Sequence, residues 1–205
     1  LDGERLVVQQ RDAPAVEARL VNTSHVALYG NAHVTLPAIK ALLERNVPLL
    51  LFSYGGWYQG RTVGGDPKNV ELRLAQYAKT GEPGFCLRLA QGFVASKILN
   101  CRTLLRRNSE SVSATTLFEL KQLALKARQA ANAEALLGIE GTAARSYFGA
   151  FTGMLKGEAQ RDFDLEGRNR RPPRDPVNAL LSFCYSLLAK DLLLAATVAG
   201  LDSML

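Results

Sequence analysis

Gly64-Gly65-Asp66-Pro67 is the stretch on which the fold turns, because the chain repeats differently on its two sides. Adjacent glycines followed by proline interrupt any regular element. Upstream, apolar residues come in short runs with strand spacing: Leu6-Val-Val8, Ala18-Arg-Leu-Val21, Val26-Ala-Leu-Tyr29 and Val47-Pro-Leu-Leu-Leu-Phe52. Downstream, everything repeats at helical spacing. This predicts an α+β protein of two domains, a small β-rich N-terminal domain over 1–66 and a mostly α-helical domain over 67–205.

Within the first domain, Thr35 is placed to cap one short helix with the apolar stripe Leu36, Ile39, Leu42 and Leu43, which Asn46 and Pro48 end. Tyr54-Gly-Gly-Trp-Tyr-Gln-Gly60 reads as a hairpin turn and then a strand through Val63, the glycines supplying the positive φ of a tight reversal. These glycines lack the spacing of either phosphate-binding fingerprint. In the second domain, helices are predicted over 68–79, 84–107, 112–129 and 133–155, with Thr80-Gly-Glu-Pro-Gly84 parting the first two. A long apolar helix follows, opened by Asp175 as cap and Pro176 in its first turn, running through Leu180, Leu181, Phe183, Leu187, Leu188 and Leu192 to Gly200.

With 205 residues, 47% of them hydrophobic, the chain can bury a sizeable core. The net charge of +6 favours a polyanionic partner such as nucleic acid if the excess is localised. Cys86, Cys101 and Cys184 are an odd, widely spaced set with no Cys-x-x-Cys pair, which supports neither a disulfide framework nor a zinc site and reads as free thiols in a reducing compartment. No apolar run is read as approaching the roughly 20 residues that span a bilayer, and no signal pattern opens the chain. A cytoplasmic protein without membrane partners is expected. Because the chain opens at Leu1 without an initiator Met, it is read as part of a longer polypeptide.

Leu137-Gly-Ile-Glu-Gly-Thr-Ala-Ala-Arg-Ser-Tyr-Phe148 sets one carboxylate, Glu140, among small residues. On a helix, Ala143, Ala144 and Tyr147 share its face while Ile139 and Phe148 turn elsewhere. Two alanines would leave space above the acid for a divalent cation and a phosphate, and Gly138 and Gly141 would admit another backbone. The alternative is a solvated acid on an ordinary amphipathic helix.

A second concentration of charge lies in Phe163-Asp-Leu-Glu-Gly-Arg-Asn-Arg-Arg-Pro-Pro-Arg-Asp-Pro176. Arg168, Arg170, Arg171 and Arg174 fall there within seven residues, uninterrupted by any acid. Guanidinium groups at this density, on a loop stiffened by Pro172 and Pro173, suit phosphates without reading sequence. Pairing with Asp162, Asp164 and Glu166 is the competing reading. Lys97, Arg102, Arg106 and Arg107 form a further basic edge, on the helix over 84–107, and a solvated face is an equal reading of it.

Taken together, the Val47-Pro-Leu-Leu-Leu-Phe-Ser53 strand with its Gly-rich hairpin, the Gly138–Phe148 motif, and Phe163–Gly167 leading through Arg168-Asn-Arg-Arg-Pro-Pro-Arg-Asp-Pro-Val-Asn-Ala-Leu-Leu-Ser182 resemble the first CRISPR-associated family. That family is the adaptation integrase that inserts new spacers into CRISPR arrays, and the likeness runs almost from end to end. The resemblance implies an N-terminal β domain that helps make a homodimer and a helical domain that holds a divalent metal, Mg2+ or Mn2+. It also implies assembly with the small ferredoxin-like second Cas protein around double-stranded prespacer DNA and CRISPR repeat DNA. Carried across, Glu140 matches the family's first metal ligand and a catalytic position. Arg145, Tyr147, Arg168, Asn169, Arg170, Arg171 and Arg174 become the DNA-binding set, with Tyr147 alternatively packing against a neighbouring helix. The family's remaining ligands, a His and an Asp, fall beyond Leu205; His25 and His33 do not match the His and read as ordinary residues of the β domain. One carboxylate cannot alone seat a cation that takes about six oxygen or nitrogen donors.

The implied chemistry is metal-dependent transesterification, in which a prespacer 3′ hydroxyl attacks a phosphodiester at the leader-repeat boundary. Two rivals stand beside it. One is a non-catalytic DNA-binding scaffold, expected if the polypeptide ends at Leu205; the other is a metal-dependent nuclease cutting branched DNA, with water replacing the hydroxyl.

Overall fold

The structure, a computed structural model, describes residues 3–10, 12–62, 64, 69–157, 168 and 173–203. Strands in two small sheets are followed by a mostly helical region, so the fold is α+β as the periodicity predicts. The chain forms two compact units. One takes the residues up to Val70 together with Tyr185–Ser203, and the other takes Glu71–Cys184. Gly65, Asp66 and Pro67, at the expected boundary, lie outside the described residues.

In the strand-bearing unit, β1 (Arg5–Gln10) and β2 (Ala13–Arg19) form an antiparallel ribbon. The strand expected over Ala18–Val21 is corrected: β2 begins at Ala13, and Leu20–Asn22 is a 3-10 turn whose Leu20 is buried. Arg5 bridges to Glu17 across the ribbon at 2.7 Å. The second sheet has β4 (Leu49–Phe52) at its centre, parallel to β3 (Val26–Tyr29) and antiparallel to β5 (Tyr58–Arg61). Leu49, Leu50 and Phe52 of β4 are all buried, which is why its sequence is an unbroken apolar run rather than an alternation. Between β4 and β5 the reversal occurs where expected, with Gly56 at φ +80°.

Helix α1 (Leu36–Glu44) crosses from β3 to β4. Its predicted stripe is rotated: Leu42 is buried and Ile39 packs beside it, but Leu36 is exposed and Ala38 takes the inward position. Thr35 occupies the cap position without a side-chain hydrogen bond, and Pro37 sits in the first turn. Leu20, Leu42, Val47 and Leu49 make this unit's core.

The helical unit contains α2 (Val70–Thr80), α3 (Pro83–Asn108), α4 (Ala114–Arg128) and α5 (Ala133–Gly149). Pro83 and Gly84, expected to lie in a break, form the first turn of α3, where proline's missing N–H costs nothing. Ser113 and Asn132 cap α4 and α5 by accepting from the backbone N–H of Thr116 and Ala135. The helix expected to reach residue 155 ends at Gly149 and tightens into a 3-10 turn over Phe151–Met154. Ala95, Ile98 and Leu105 of α3 meet Leu120, Ala124 and Ala127 of α4 and Leu136, Ala143 and Tyr147 of α5 in one core.

Helix α6 (Pro176–Val198) opens as predicted, with Asp175 Oδ1 accepting from the Asn178 N–H at 2.7 Å. The reading that no apolar run reaches bilayer length is corrected here: by length and composition alone, α6 is long and apolar enough to cross a membrane. Leu180, Phe183, Leu188 and Leu192 are each more than half exposed.

Candidate functional site

Glu140 stands on α5, a helix held from one side by α3 and α4. Its carboxylate is not above open space among alanines. Ala143, on the same face, is 4% exposed and packed into the core, and Tyr147 is 8% exposed with its ring 5.0 Å from Phe148 and 5.8 Å from Phe151. The helical face bearing Glu140 therefore turns inward within one turn, leaving the acid at its rim with its side chain 31% exposed. Nothing lies within 4 Å of a Cβ built on Gly138 or Gly141, so the close backbone approach expected at those glycines does not occur among the described residues.

Across from Glu140, Lys97 Nζ on α3 lies 2.6 Å from Oε1. The sequence places Lys97 on a basic edge but gives no sign of this pairing, because which faces of two helices meet is a tertiary fact. The edge itself divides. Arg102 donates from Nε to the Leu117 carbonyl at 2.8 Å and so joins α3 to α4, while Arg106 and Arg107 are exposed. Cys101, one turn after Lys97, has its thiol pushed above the ordinary value by burial, against a smaller opposing pull from the Lys97 charge.

Arg145 is exposed on α5 but lies five residues past Glu140, about 140° around the helix. Of the basic loop, Arg168, Pro173 and Arg174 are described, while Asn169, Arg170, Arg171 and Pro172, with the candidate partners Asp162, Asp164 and Glu166, lie outside the described residues. Arg174 is exposed. Arg168 is turned onto α6: Nη1 donates to Asn178 Oδ1 at 2.7 Å, and Nη2 to Ser182 Oγ at 3.2 Å. Asn178, fully buried, completes the set by donating from Nδ2 to Asp175 Oδ2 at 2.7 Å. The pattern Asp175-Pro-Val-Asn178, a cap followed by a polar residue three positions on, signals the Asp175–Asn178 pair, but nothing local signals that Arg168 joins it.

No three His, Cys, Asp or Glu side chains gather into a candidate metal group among the described residues. Glu140 suits the part of one ligand, being a hard oxygen donor at the rim of the bundle with a cation already drawn to it. It does not by itself complete a site. His25 belongs to the strand-bearing unit, where its Nε2 lies 3.3 Å from Lys190 Nζ.

A family model described as CRISPR associated protein Cas1 matches residues 1–205. The chain belongs to the Cas1 family. It is 45% identical over 209 residues to a CRISPR-associated exonuclease Cas4/endonuclease Cas1 fusion of Geobacter sulfurreducens, the match spanning 98% of this chain and 37% of the relative. To CRISPR-associated endonuclease Cas1 3 of Thermus thermophilus it is 39% identical over 203 residues, spanning 98% of this chain and 59% of that Cas1. In solved structures, a chain of a Cas6-RT-Cas1–Cas2 complex matches with a TM-score of 0.77 at 32% identity, covering 98% of this chain and 22% of the other. The chain thus spans less than two thirds of the length of each of these relatives.

Proposed function

We propose that the protein containing this chain is a CRISPR adaptation integrase, inserting prespacer DNA into the array by metal-dependent transesterification. The observation that carries this reading is the family match over residues 1–205, with Glu140 at the rim of the helical core. A prespacer 3′ hydroxyl attacks the phosphodiester at the leader-repeat boundary, a new P–O bond joins the prespacer to the 5′ end of the repeat, and the bond to the leader's 3′ oxygen breaks. That oxygen leaves as a hydroxyl with a proton that balances the one lost by the attacking group. A bound Mg2+ or Mn2+ would stabilise charge on the phosphoryl oxygens. Glu140 supplies one oxygen anchor, and its place on α5 sets where the reacting phosphate is held. Asn169, Arg170, Arg171 and Arg174 hold the DNA backbone, with Arg145 a further contact on α5, while Arg168 is bonded to Asn178 and Ser182 of α6. The working assembly is a homodimer with the small ferredoxin-like second Cas protein, acting on duplex prespacer and repeat DNA in the cytoplasm.

The test is Glu140→Ala in the complete protein with a supercoiled CRISPR target. Strand transfer should be abolished while DNA binding persists, and retained strand transfer would remove Glu140 from the site. A second reading is favoured by the relatives' description as endonucleases: water takes the place of the 3′ hydroxyl and branched DNA is cut. The same assay separates joined from cut products.

A further inference from the structure

Lys97 and Glu140 face each other across α3 and α5 with Nζ and Oε1 2.6 Å apart, their side chains 48% and 31% exposed. Beneath the pair the bundle is closed, with Ala95 and Ile98 on α3 and Ala143 on α5 all buried. Neither helix can retreat without opening that core, so the freedom at this point lies in the two side chains. Of these, lysine has the longer and more mobile stem. An exposed ion pair of this kind is weakly held, and a divalent cation brings twice the charge to the same oxygen.

We infer that Lys97 is a positioning residue that couples metal binding to DNA binding. It steadies the Glu140 carboxylate before a divalent cation arrives, yields the oxygen to that cation, and then places its ammonium on a phosphate oxygen of the bound strand. The inference rests on the proposed role of Glu140 as a metal ligand. Its charge logic is local: one carboxylate between a divalent ion and an ammonium leaves positive charge uncompensated, and a phosphate is the ligand that balances it. Arg102 on the same helix is not equivalent, since its Nε is committed to the Leu117 carbonyl. Because binding couplings are reciprocal, metal and DNA then strengthen each other through Lys97.

The experiment uses the full-length protein with Lys97→Met, Lys97→Arg and Glu140→Gln, each checked for fold by circular dichroism. Mn2+ binding without DNA is followed by electron paramagnetic resonance, and duplex affinity by fluorescence anisotropy with and without Ca2+. Lys97→Met should bind Mn2+ about two- to five-fold more tightly, the size set by loss of a weak competing ion pair. It should also lose most of the gain in DNA affinity that Ca2+ gives the parent, whereas Lys97→Arg keeps that gain. Unchanged or weaker Mn2+ binding in Lys97→Met, or an undiminished Ca2+ gain, would overturn the inference while leaving the role of Glu140 intact. Mn2+ binding that survives Glu140→Gln unaltered would instead defeat the ligand reading, and this inference with it.

Discussion

The guanidinium of Arg168 is bound to the buried amide of Asn178, with Nη1 donating to Oδ1 at 2.7 Å. An arginine that charge density assigns to phosphate is thus tied to the first turns of α6. Buried hydrogen bonds to a charged group are costly to leave half made, since the partner remains desolvated.

Arg168 should therefore separate from its neighbours on mutation. Arg168→Ala is expected to lower the unfolding free energy by about 1–3 kcal/mol in urea titrations. Arg170→Ala with Arg171→Ala should leave stability nearly unchanged and weaken binding to unrelated DNA sequences alike. The slope of log affinity against log salt should flatten by roughly 0.9 for each phosphate no longer neutralised. A sequence-selective loss would point to base readout.

Tyr147→Ala decides between packing and DNA contact. With the ring 8% exposed against Phe148 and Phe151, truncation should cost about 3–5 kcal/mol by thermal or urea unfolding. DNA affinity of the folded fraction should stay at the parent level. Weakened binding at unchanged stability would return the ring to the nucleic acid.

Two neighbouring leucines on α3 offer an internal comparison. Leu105 is 0% exposed and Leu104 is 48% exposed. Leu105→Ala should cost about 2–5 kcal/mol and Leu104→Ala under about 1 kcal/mol, both read from denaturant midpoints. Equal effects would contradict the assigned core face of α3.

Cys101 should be the slowest of the three cysteines to alkylate with iodoacetamide at mildly alkaline pH, because Cys86 and Cys184 are exposed. Its raised value also fixes a sign. Between the ordinary thiol range and the raised value, the unfolded chain releases a proton that the folded chain keeps, so stability falls as pH rises through that window. Cys101→Ala should remove that part of the alkaline decline. Alkylation of Cys101 as fast as Cys86 would remove the premise.

Where burial is two-sided or helical stripes are long, the sequence carried the fold plainly. Leu49-Leu-Leu-Phe52 reads as a central strand because nearly every side chain in it must leave water, and Asp175-Pro176 announces α6 by cap chemistry. The β2 strand was hard to read because all its residues are exposed, so Ala13-Pro-Ala-Val-Glu-Ala-Arg19 carries no apolar alternation. Leu36 and Ala38 exchanged roles because the turn of α1 facing the sheet depends on how the chain crosses over it. At the candidate site, spacing named Glu140 and its companions correctly as one helical face. It could not say that α3 and α4 cover most of that face, nor that a lysine 43 positions earlier in the chain meets the acid.

The burial of Ala143 and Tyr147 one and two turns beyond Glu140 gives the carboxylate a fixed address. Swivelling α5 to meet an incoming group would expose a tyrosine and pry apart three helices. Whatever docks at this acid must do the travelling, and the helix bearing it serves as the anvil.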